Sequence, residues 1–267
     1  MGLAGGIAVP VIGGIAGLII GSFIAALTWR WPQGRSIATG RSACDACGTV
    51  LSPLDLVPLL SFLWLRGRCR HCGVAIAPRH VAIEVAASAI GITALALHPD
   101  GHGVAGAVFG WMLLALLVLD VEHMWLPDRL TLPLGLAGVA ATLWLGWPLF
   151  DSLIGAATGW ASLAGIAAAY KALTGRTGMG GGDPKLFAAM GAWLGWSVLP
   201  LVLVLAAMLG LALAGYDRVS GRAVTRHSRV PLGAMLAAAA WPLFLVVSPL
   251  GLAGQLSPAV AATITWP

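Results

Sequence analysis

Two aspartates, Asp120 and Asp183, stand beside apolar runs in a chain that otherwise carries little charge. Charged residues make up 9% of the composition and hydrophobic residues 59%. An acidic residue next to a long apolar run is energetically unfavourable, which suggests a functional reason for its presence. Two neighbouring carboxylates tend to share one proton. The ionised member can then take a proton from water while the protonated member hydrogen-bonds a scissile carbonyl, which is the chemistry of an aspartic protease.

Each aspartate also has an ordinary interpretation that the sequence leaves open. Asp183 precedes Pro184, so it could cap a helix that has proline at its first position. Asp120, Glu122 and Asp128 could belong to a solvated loop. Other hydrolytic chemistries fit less well, because the chain has no HExxH motif. Its six histidines lie in loops or at the ends of apolar runs, where they do not predict a serine dyad.

Eight apolar stretches must position the two aspartates, and the mean hydropathy of the chain is +0.91. The sequence predicts an all-α polytopic membrane protein with about eight transmembrane helices. Several stretches are shorter than the roughly 20 residues of an ideal span, so seven spans remain an alternative. The pairs Gly17-xxx-Gly21 and Gly155-xxx-Gly159 predict close helix contacts. The stretches are 4–28, 81–97, 104–119, 131–148, 152–170, 186–198, 199–215 and 231–250.

Two of these stretches, 131–148 and 152–170, separate the aspartates in the sequence. A hairpin of two spans returns the chain to the face of the membrane that it left. We therefore expect Asp120 and Asp183 to lie at a similar depth on one side. The glycine-rich segment 178–182 before Asp183 allows close approach of the backbone to another group.

The basic residues predict the orientation. All 15 lysines and arginines lie in the four segments 30–79, 120–130, 171–185 and 216–230. These segments are alternate loops of an eight-span arrangement, so the positive-inside rule places all four in the cytoplasm. The net charge of +5 then follows from topology. No patch of mixed basic and aromatic residues indicates a nucleic-acid partner, and the lipid bilayer is the expected surrounding.

All four cysteines lie in the polar segment 30–79, as two CxxC pairs. This spacing predicts a tetrahedral zinc site. The zinc would be structural, because a loop of this size with little core needs such stabilisation. Unligated thiols or a disulfide pair are the alternatives, although a cytoplasmic location argues against stable disulfides. His71 could replace one cysteine as a ligand. The four predicted ligands are Cys44, Cys47, Cys69 and Cys72.

Together these features predict three regions. Residues 1–29 form a first transmembrane helix, and residues 30–79 form a cytoplasmic loop that binds zinc through its four cysteines. Residues 80–267 form a multi-helix membrane domain that carries both aspartates.

An ordered series of short motifs, which extends over most of the chain, resembles the type IV prepilin peptidases, aspartic membrane proteases of the GxGD class. The motif around the second aspartate is Gly178-Met179-Gly180-Gly181-Gly182-Asp183, followed by Lys185-Leu186. The other matching pieces are Gly21-Ser22-Phe23, Arg41-Ser42-Ala43-Cys44, Asp55-Leu56-Val57-Pro58, Leu65-Arg66-Gly67-Arg68-Cys69-Arg70, Leu126-Pro127-Asp128, Leu130-Thr131-Leu132-Pro133-Leu134 and Val230-Pro231-Leu232-Gly233.

The resemblance implies that Asp120 and Asp183 are the catalytic pair and that Asp128 has a supporting role. It implies an enzyme that cleaves the leader peptide of prepilins or pseudopilins at the cytoplasmic face of the bacterial inner membrane. Many members of this family then methylate the new amino terminus with S-adenosylmethionine. That second activity is tied to the cysteine-bearing loop.

The chain departs from the family pattern in the loop and its flanks. Proline often follows the first cysteine, whereas this chain has Asp45. Ala25 stands where asparagine is common, and the segment 79–84 replaces a typical Arg-Tyr-Pro-x-Val-Glu. A peptidase without methyltransferase activity is therefore an alternative. A transporter fits less well, because both aspartates lie at span ends, and a zinc-ribbon assembly scaffold would use the cytoplasmic loop and leave Asp120 and Asp183 without a role.

Overall fold

The computed structural model describes residues 3–37, 41–220 and 230–247. Within these ranges two short 3₁₀ turns, Trp31–Gln33 and Pro53–Leu56, and two isolated β-bridges accompany the α-helices. The α-helices in the described residues are α1 (Leu3–Arg30), α2 (Leu60–Trp64), α3 (Pro78–Leu97), α4 (Gly101–His123), α5 (Asp128–Leu145), α6 (Leu149–Thr174), α7 (Gly182–Leu194), α8 (Leu199–Val219) and α9 (Leu232–Val246).

Every helix except the five-residue α2 coincides with one of the eight predicted apolar stretches, which confirms the all-α class. Among the described residues, five helices are long and apolar enough to cross a membrane: α1, α3, α4, α6 and α8. These five confirm a polytopic membrane protein, and the larger count of spans stays a prediction. Arg222, Arg226 and Arg229 of the last predicted loop, and residues 248–250 of the last apolar stretch, lie outside the described residues.

The first compact unit, Met1–Val118, is organised around an antiparallel pair of helices, α1 and α3. Small residues bring the two backbones together. A methyl group on Gly17 would lie 2.3 Å from the carbonyl oxygen of Ala87, and one on Gly21 would lie 2.7 Å from the Cα of Glu84. The close contact predicted from Gly17-xxx-Gly21 is therefore confirmed.

The second compact unit, Leu119–Pro267, is organised around α7. This helix packs against α5, α6 and α9, and nearly all of its side chains are buried. The predicted small-residue contact on α6 is confirmed, because a methyl group on Gly155 would lie 2.2 Å from the carbonyl oxygen of Gly191. One on Gly159 would lie 2.6 Å from the carbonyl oxygen of Phe187.

The 13 residues of α7 give it a length of only about 20 Å, less than the roughly 30 Å hydrocarbon core of a bilayer. Hydrogen bonds fix it among its neighbours. The Trp193 indole donates to the carbonyl oxygen of Leu134 on α5 at 2.8 Å, and the Ser152 hydroxyl on α6 donates to that of Ala192 at 2.7 Å. A short helix held in this way fixes the position of its first turn, where Asp183 lies.

Candidate functional site

Asp120 lies near the carboxyl end of α4 and is only 5% exposed. Its Oδ2 atom accepts a hydrogen bond from the backbone N–H of Ala234 at 2.8 Å. Ala234 is in the first turn of α9, where backbone N–H groups have no partner within the helix. The preceding Gly233 permits this approach, because a methyl group there would lie 3.0 Å from the same carboxylate oxygen.

Asp183 lies in the first turn of α7 and is 8% exposed. The residue that caps this helix is Gly181, so Asp183 does not take the capping position that its sequence context allowed. Its Oδ2 atom accepts the backbone N–H of Gly180 at 3.1 Å. Burial, and then the neighbouring Asp120 carboxylate, raise the pKa of Asp183 to about 6. The fold therefore brings the two carboxyl groups close enough to interact, as their chemistry requires.

Leu126 packs between the starts of α7 and α9, which lie next to the two aspartates. A methyl group on Gly182, at the start of α7, would lie 2.8 Å from the Cβ of Leu126. One on Gly233, at the start of α9, would lie 2.7 Å from its Cδ1. Glycines at these two positions let the loop between α4 and α5 pack tightly against both helices.

Asp128 does not belong to the buried pair. It begins α5, and both of its carboxylate oxygens lie 2.8 Å from the Nζ of Lys185, two residues after Asp183. Both side chains are about half exposed. This ion pair joins the start of α5 to the first turn of α7.

The four cysteines form a cluster that could hold a metal ion. Their sulfur atoms all lie within 4.8 Å of one another, and those of Cys44 and Cys72 are 3.9 Å apart. Zinc–sulfur bonds of about 2.3 Å place the sulfurs of a tetrahedral site about 3.8 Å apart. A disulfide needs about 2.05 Å, and all four thiols are free. His71 is exposed and is not part of the cluster.

The cluster is built from two turns of the same design. In the first turn, the backbone N–H of Cys44 donates to the carbonyl oxygen of Thr49, and the backbone N–H of Gly48 donates to the carbonyl oxygen of Cys44. In the second turn, the backbone N–H of Cys69 donates to the carbonyl oxygen of Val74, and that of Gly73 donates to the carbonyl oxygen of Cys69. The two glycines have φ angles of 69° and 70°, a left-handed conformation that glycine adopts without strain. Each CxxC pair is therefore presented by a tight turn.

Hydrogen bonds at these turns favour the thiolates of Cys47 and Cys69, whereas burial and hydrogen bonds with the other cysteines raise the pKa of the Cys72 thiol to about 11. Hydrogen bonding to Thr49 lowers the pKa of the Cys47 thiol to about 6. Backbone hydrogen bonds at Cys72 and His71 lower the pKa of Cys69. Because metals bind thiolates, both effects suit the cluster for a metal ion.

Two side chains of α3 make contacts next to the cysteine loop: Arg79 joins α3 to α1, and Glu84 joins α3 to the loop. Arg79 donates to the carbonyl oxygen of Ala25 at 3.2 Å and to the hydroxyl of Thr28 at 2.7 Å. The buried Glu84 carboxylate accepts the backbone N–H of Leu59 at 2.8 Å. Arg79 and Glu84 are the first and last residues of the segment 79–84, the two positions at which it agrees with the typical Arg-Tyr-Pro-x-Val-Glu, and at position 25 the contact is made by the backbone.

Comparison with known proteins gives two family matches. The family described as "Bacterial Peptidase A24 N-terminal domain" matches residues 15–98, and the one described as "Type IV leader peptidase family" matches residues 107–215. The chain belongs to the type IV leader peptidase family. The first match includes the four cysteines, and the second includes Asp120 and Asp183.

Individual relatives agree with this membership. The chain is 42% identical to the prepilin leader peptidase/N-methyltransferase of Aeromonas salmonicida (strain A449), over 75% of this chain and 69% of the relative. It is 39% identical to the protein of that name from Burkholderia pseudomallei (strain K96243), over 84% and 81%, respectively. It is 34% identical to the one from Pseudomonas aeruginosa, over 85% and 87%. No solved structure matches the chain.

Three contacts of this family member were not predicted from its sequence: the Ala234 N–H at Asp120, the Lys185 partner of Asp128, and Glu84 at Leu59. Each had a signal. Gly233 ends a matching motif and marks a close approach. Lys185 is a cation two residues from an acid, and Glu84 is an acid inside an apolar stretch.

Proposed function

We propose that this protein cleaves the leader peptides of prepilins or pseudopilins, with Asp120 and Asp183 as its catalytic pair. The observation that carries the proposal is the burial of both carboxyl groups, with the Asp120 carboxylate contributing to the raised pKa of Asp183. The names of the relatives, which are prepilin leader peptidases, support the substrate class.

The two aspartates have different surroundings, which assign them different roles. Asp120 accepts a backbone N–H from the first turn of α9 at 2.8 Å, whereas Asp183 accepts its backbone N–H from Gly180, in the loop before α7, at 3.1 Å. Asp183 has a raised pKa of about 6 because of burial and the Asp120 carboxylate. Because the Asp120 carboxylate raises the pKa of Asp183, we assign the proton to Asp183 when the pair carries one proton, and Asp120 is then the base. The titration as a whole belongs to the pair.

Cleavage follows from this proton distribution. Asp120 takes a proton from a water molecule while Asp183 donates its proton to the scissile carbonyl oxygen, and the water oxygen bonds to the carbonyl carbon. The resulting tetrahedral intermediate is neutral. Asp183 then takes back a hydroxyl proton, and Asp120 gives its proton to the leaving nitrogen as the C–N bond breaks. Both carboxyl groups return to their starting states.

We place the site at the cytoplasmic face of a bacterial inner membrane. The confinement of all 15 lysines and arginines to alternate loops supports this orientation. The exposed apolar side chains of α6 and α8 suit contact with lipid. Residues 1–29, 30–79 and 80–267 then act as first span, cytoplasmic loop and peptidase domain, and no nucleic acid takes part.

The cysteine cluster holds a structural zinc ion in this proposal. All four ligands are thiols at tetrahedral spacing, which leaves no position for a reacting water. Binding of the ion supplies part of the folding free energy of the loop. No step of peptide cleavage requires it.

Methylation of the new amino terminus is a second candidate activity, with S-adenosylmethionine as methyl donor. The relatives' names, which combine leader peptidase with N-methyltransferase, favour it. A peptidase that lacks this second step remains the alternative.

One incubation tests both activities. Purified protein is mixed with a prepilin, with and without S-adenosylmethionine, and the products are weighed by mass spectrometry. We expect a product shortened by the leader in both samples. The product is heavier by one methyl group only with the donor present if the second activity is retained. An unshortened prepilin would contradict the proposed peptidase and favour a scaffold or transporter.

A further inference from the structure

An exposed apolar surface lies on the cysteine loop, away from the metal cluster. Trp64 is 88% exposed and Leu54 is 69% exposed. Leu60, Leu63 and Trp64 follow the spacing i, i+3, i+4, so they share one face of α2. Together with Leu54 they form a surface that we call the apolar patch. Side chains of this size are unfavourable in water when they are clustered, which indicates that something covers them.

The position of the patch is fixed by one hydrogen bond. The Leu59 N–H, at the residue before α2, donates to the Glu84 carboxylate. Glu84 is six residues after Pro78, the first residue of α3, and the intervening helix rises by about 9 Å. Its side chain leans back toward the start of α3. The patch therefore begins beside the first two turns of α3, not beyond the end of the helix.

The turn at this hydrogen bond is strained. Leu59 has φ 60° and ψ −47°, and the N–H of Leu60 donates to the carbonyl oxygen of Pro58 at 2.6 Å. This is a γ-turn of the rare form with positive φ. Such a conformation persists where its surroundings hold it in place. The buried Glu84 does so, and it thereby holds the start of α2 beside the second turn of α3.

The surroundings of the patch match a bilayer interface. Arg30 and Arg79, at the loop ends of the candidate spans α1 and α3, mark the level of the lipid headgroups. Interfacial segments bury their apolar faces about 5–10 Å below that level, which matches the depth of the first two turns of α3. Tryptophan favours this interface. Arg66 and Arg68 follow at once and are exposed, as contact with anionic headgroups requires.

We propose that residues 54–65 form a membrane anchor that seats the apolar patch in the interface of an anionic bilayer, with Arg66 and Arg68 at the headgroups. A lipid surface fits better than a peptide because the hydrogen bond between Leu59 and Glu84 holds this segment beside the candidate span α3. The anchor fixes the height of the cysteine cluster above the membrane. It is an addition to the proposed peptidase and does not depend on it.

The experiment measures whether the Trp64 side chain contacts lipid or water. The full-length protein is labelled with fluorotryptophan and placed in nanodiscs that contain anionic lipid, and the ¹⁹F signal of Trp64 is identified by its absence in Trp64→Phe. Spin-labelled lipids with the label near the headgroup, and a water-soluble gadolinium complex, are then added separately. Trp160, exposed in the middle of α6, and Trp193, buried in α7, are the lipid-facing and shielded controls.

We expect loss of the Trp64 signal with the headgroup-labelled lipid and a smaller loss with gadolinium. The loss with labelled lipid should fall in Arg66→Gln/Arg68→Gln, which leaves the Arg70–Asp55 ion pair intact. A Trp64 signal that is lost to gadolinium and unaffected by labelled lipid would overturn the proposal. So would a signal that labelled lipid leaves unchanged and that shifts when a prepilin peptide is added, because the patch would then be a peptide site.

Discussion

The carboxylate of Asp120 accepts a hydrogen bond from the backbone N–H of Ala234, which lies 114 residues later in the chain, at 2.8 Å. The donor is one of the first N–H groups of α9, which have no partner within the helix and carry its positive dipole end. This contact offsets part of the cost of burying a negative charge on Asp120. The corresponding bond at Asp183, from the Gly180 N–H, is longer at 3.1 Å, so we assign Asp120 as the ionised member of the pair.

Substitution of Gly233 by alanine should impair cleavage. The added methyl group would lie 2.7 Å from Leu126 Cδ1 and 3.0 Å from Asp120 Oδ2, so the start of α9 must shift. Because small displacements of catalytic groups lower the rate strongly, we expect kcat/KM to fall roughly 10- to 100-fold. The measurement is the rate of leader cleavage by purified protein.

Gly215→Ala is the matched control for this substitution. Gly215 lies in α8 with open space around its Cα, and alanine favours a helix. Its cleavage rate should match that of the unmodified protein. Equal rates for both glycine variants would show that the approach of α9 to Asp120 does not matter.

Asp183→Asn should stabilise the fold at neutral pH. The pKa of Asp183 is about 6 in the fold, against an ordinary value of 3.8. The folded state therefore binds this proton more tightly than the unfolded state does, so its contribution to stability is present below about pH 4 and is lost as pH rises through 6. The corresponding free energy is at most about 3 kcal/mol.

Thermal unfolding in detergent checks this sign. An asparagine side chain cannot ionise, so the Asp183→Asn variant should have a higher Tm than the unmodified protein at about pH 7.5, and the gap should close by about pH 4. Asp128→Asn, at an exposed ion pair, should show no such gap. A lower Tm for Asp183→Asn at neutral pH would contradict the raised pKa.

The ion pair between Asp128 and Lys185 should raise the cleavage rate without being essential for cleavage. Exposed pairs contribute about 0–1 kcal/mol, so Asp128→Asn should lower kcat/KM only several-fold. The exchanged variant Asp128→Lys/Lys185→Asp restores an attraction between α5 and α7 and should recover part of the loss. Complete inactivity of Asp128→Asn would instead place Asp128 in the chemistry.

Purified protein should contain about one zinc ion per chain, bound by the four cysteines. Replacement of any one cysteine by serine should lower the zinc content and increase proteolysis of the loop, because metal affinity there is folding free energy. Cleavage should weaken only through instability, and methylation should suffer more if it is present. Absence of zinc from protein purified without chelators, with unchanged activity in the serine variants, would contradict a structural metal.

The sequence predicted the features that depend on local pattern. Hydropathy located each long helix, the CxxC spacing located the cysteine cluster, and Gly17-xxx-Gly21 marked the contact between α1 and α3. Each of these signals needs only residues that are near in sequence, or a composition that a membrane enforces.

The contacts that tune the site were not predicted, because they join residues far apart in the sequence. No local pattern pairs Asp120 with Ala234 or Glu84 with Leu59. The burial of α7 on nearly all sides is also a tertiary property, since an apolar run looks the same whether it faces lipid or protein. Glycines and isolated acids in apolar runs indicate that such contacts exist, but they do not identify the partner residues.

The most direct test of the account is the cleavage of a prepilin by Asp120→Asn and Asp183→Asn, each purified from membranes in folded form and compared with the unmodified protein by mass spectrometry. Asparagine keeps the size and polarity of aspartate but cannot transfer a proton. We expect the leader to remain attached with both variants, while the unmodified protein removes it. Cleavage at a near-normal rate by either variant would contradict the catalytic pair.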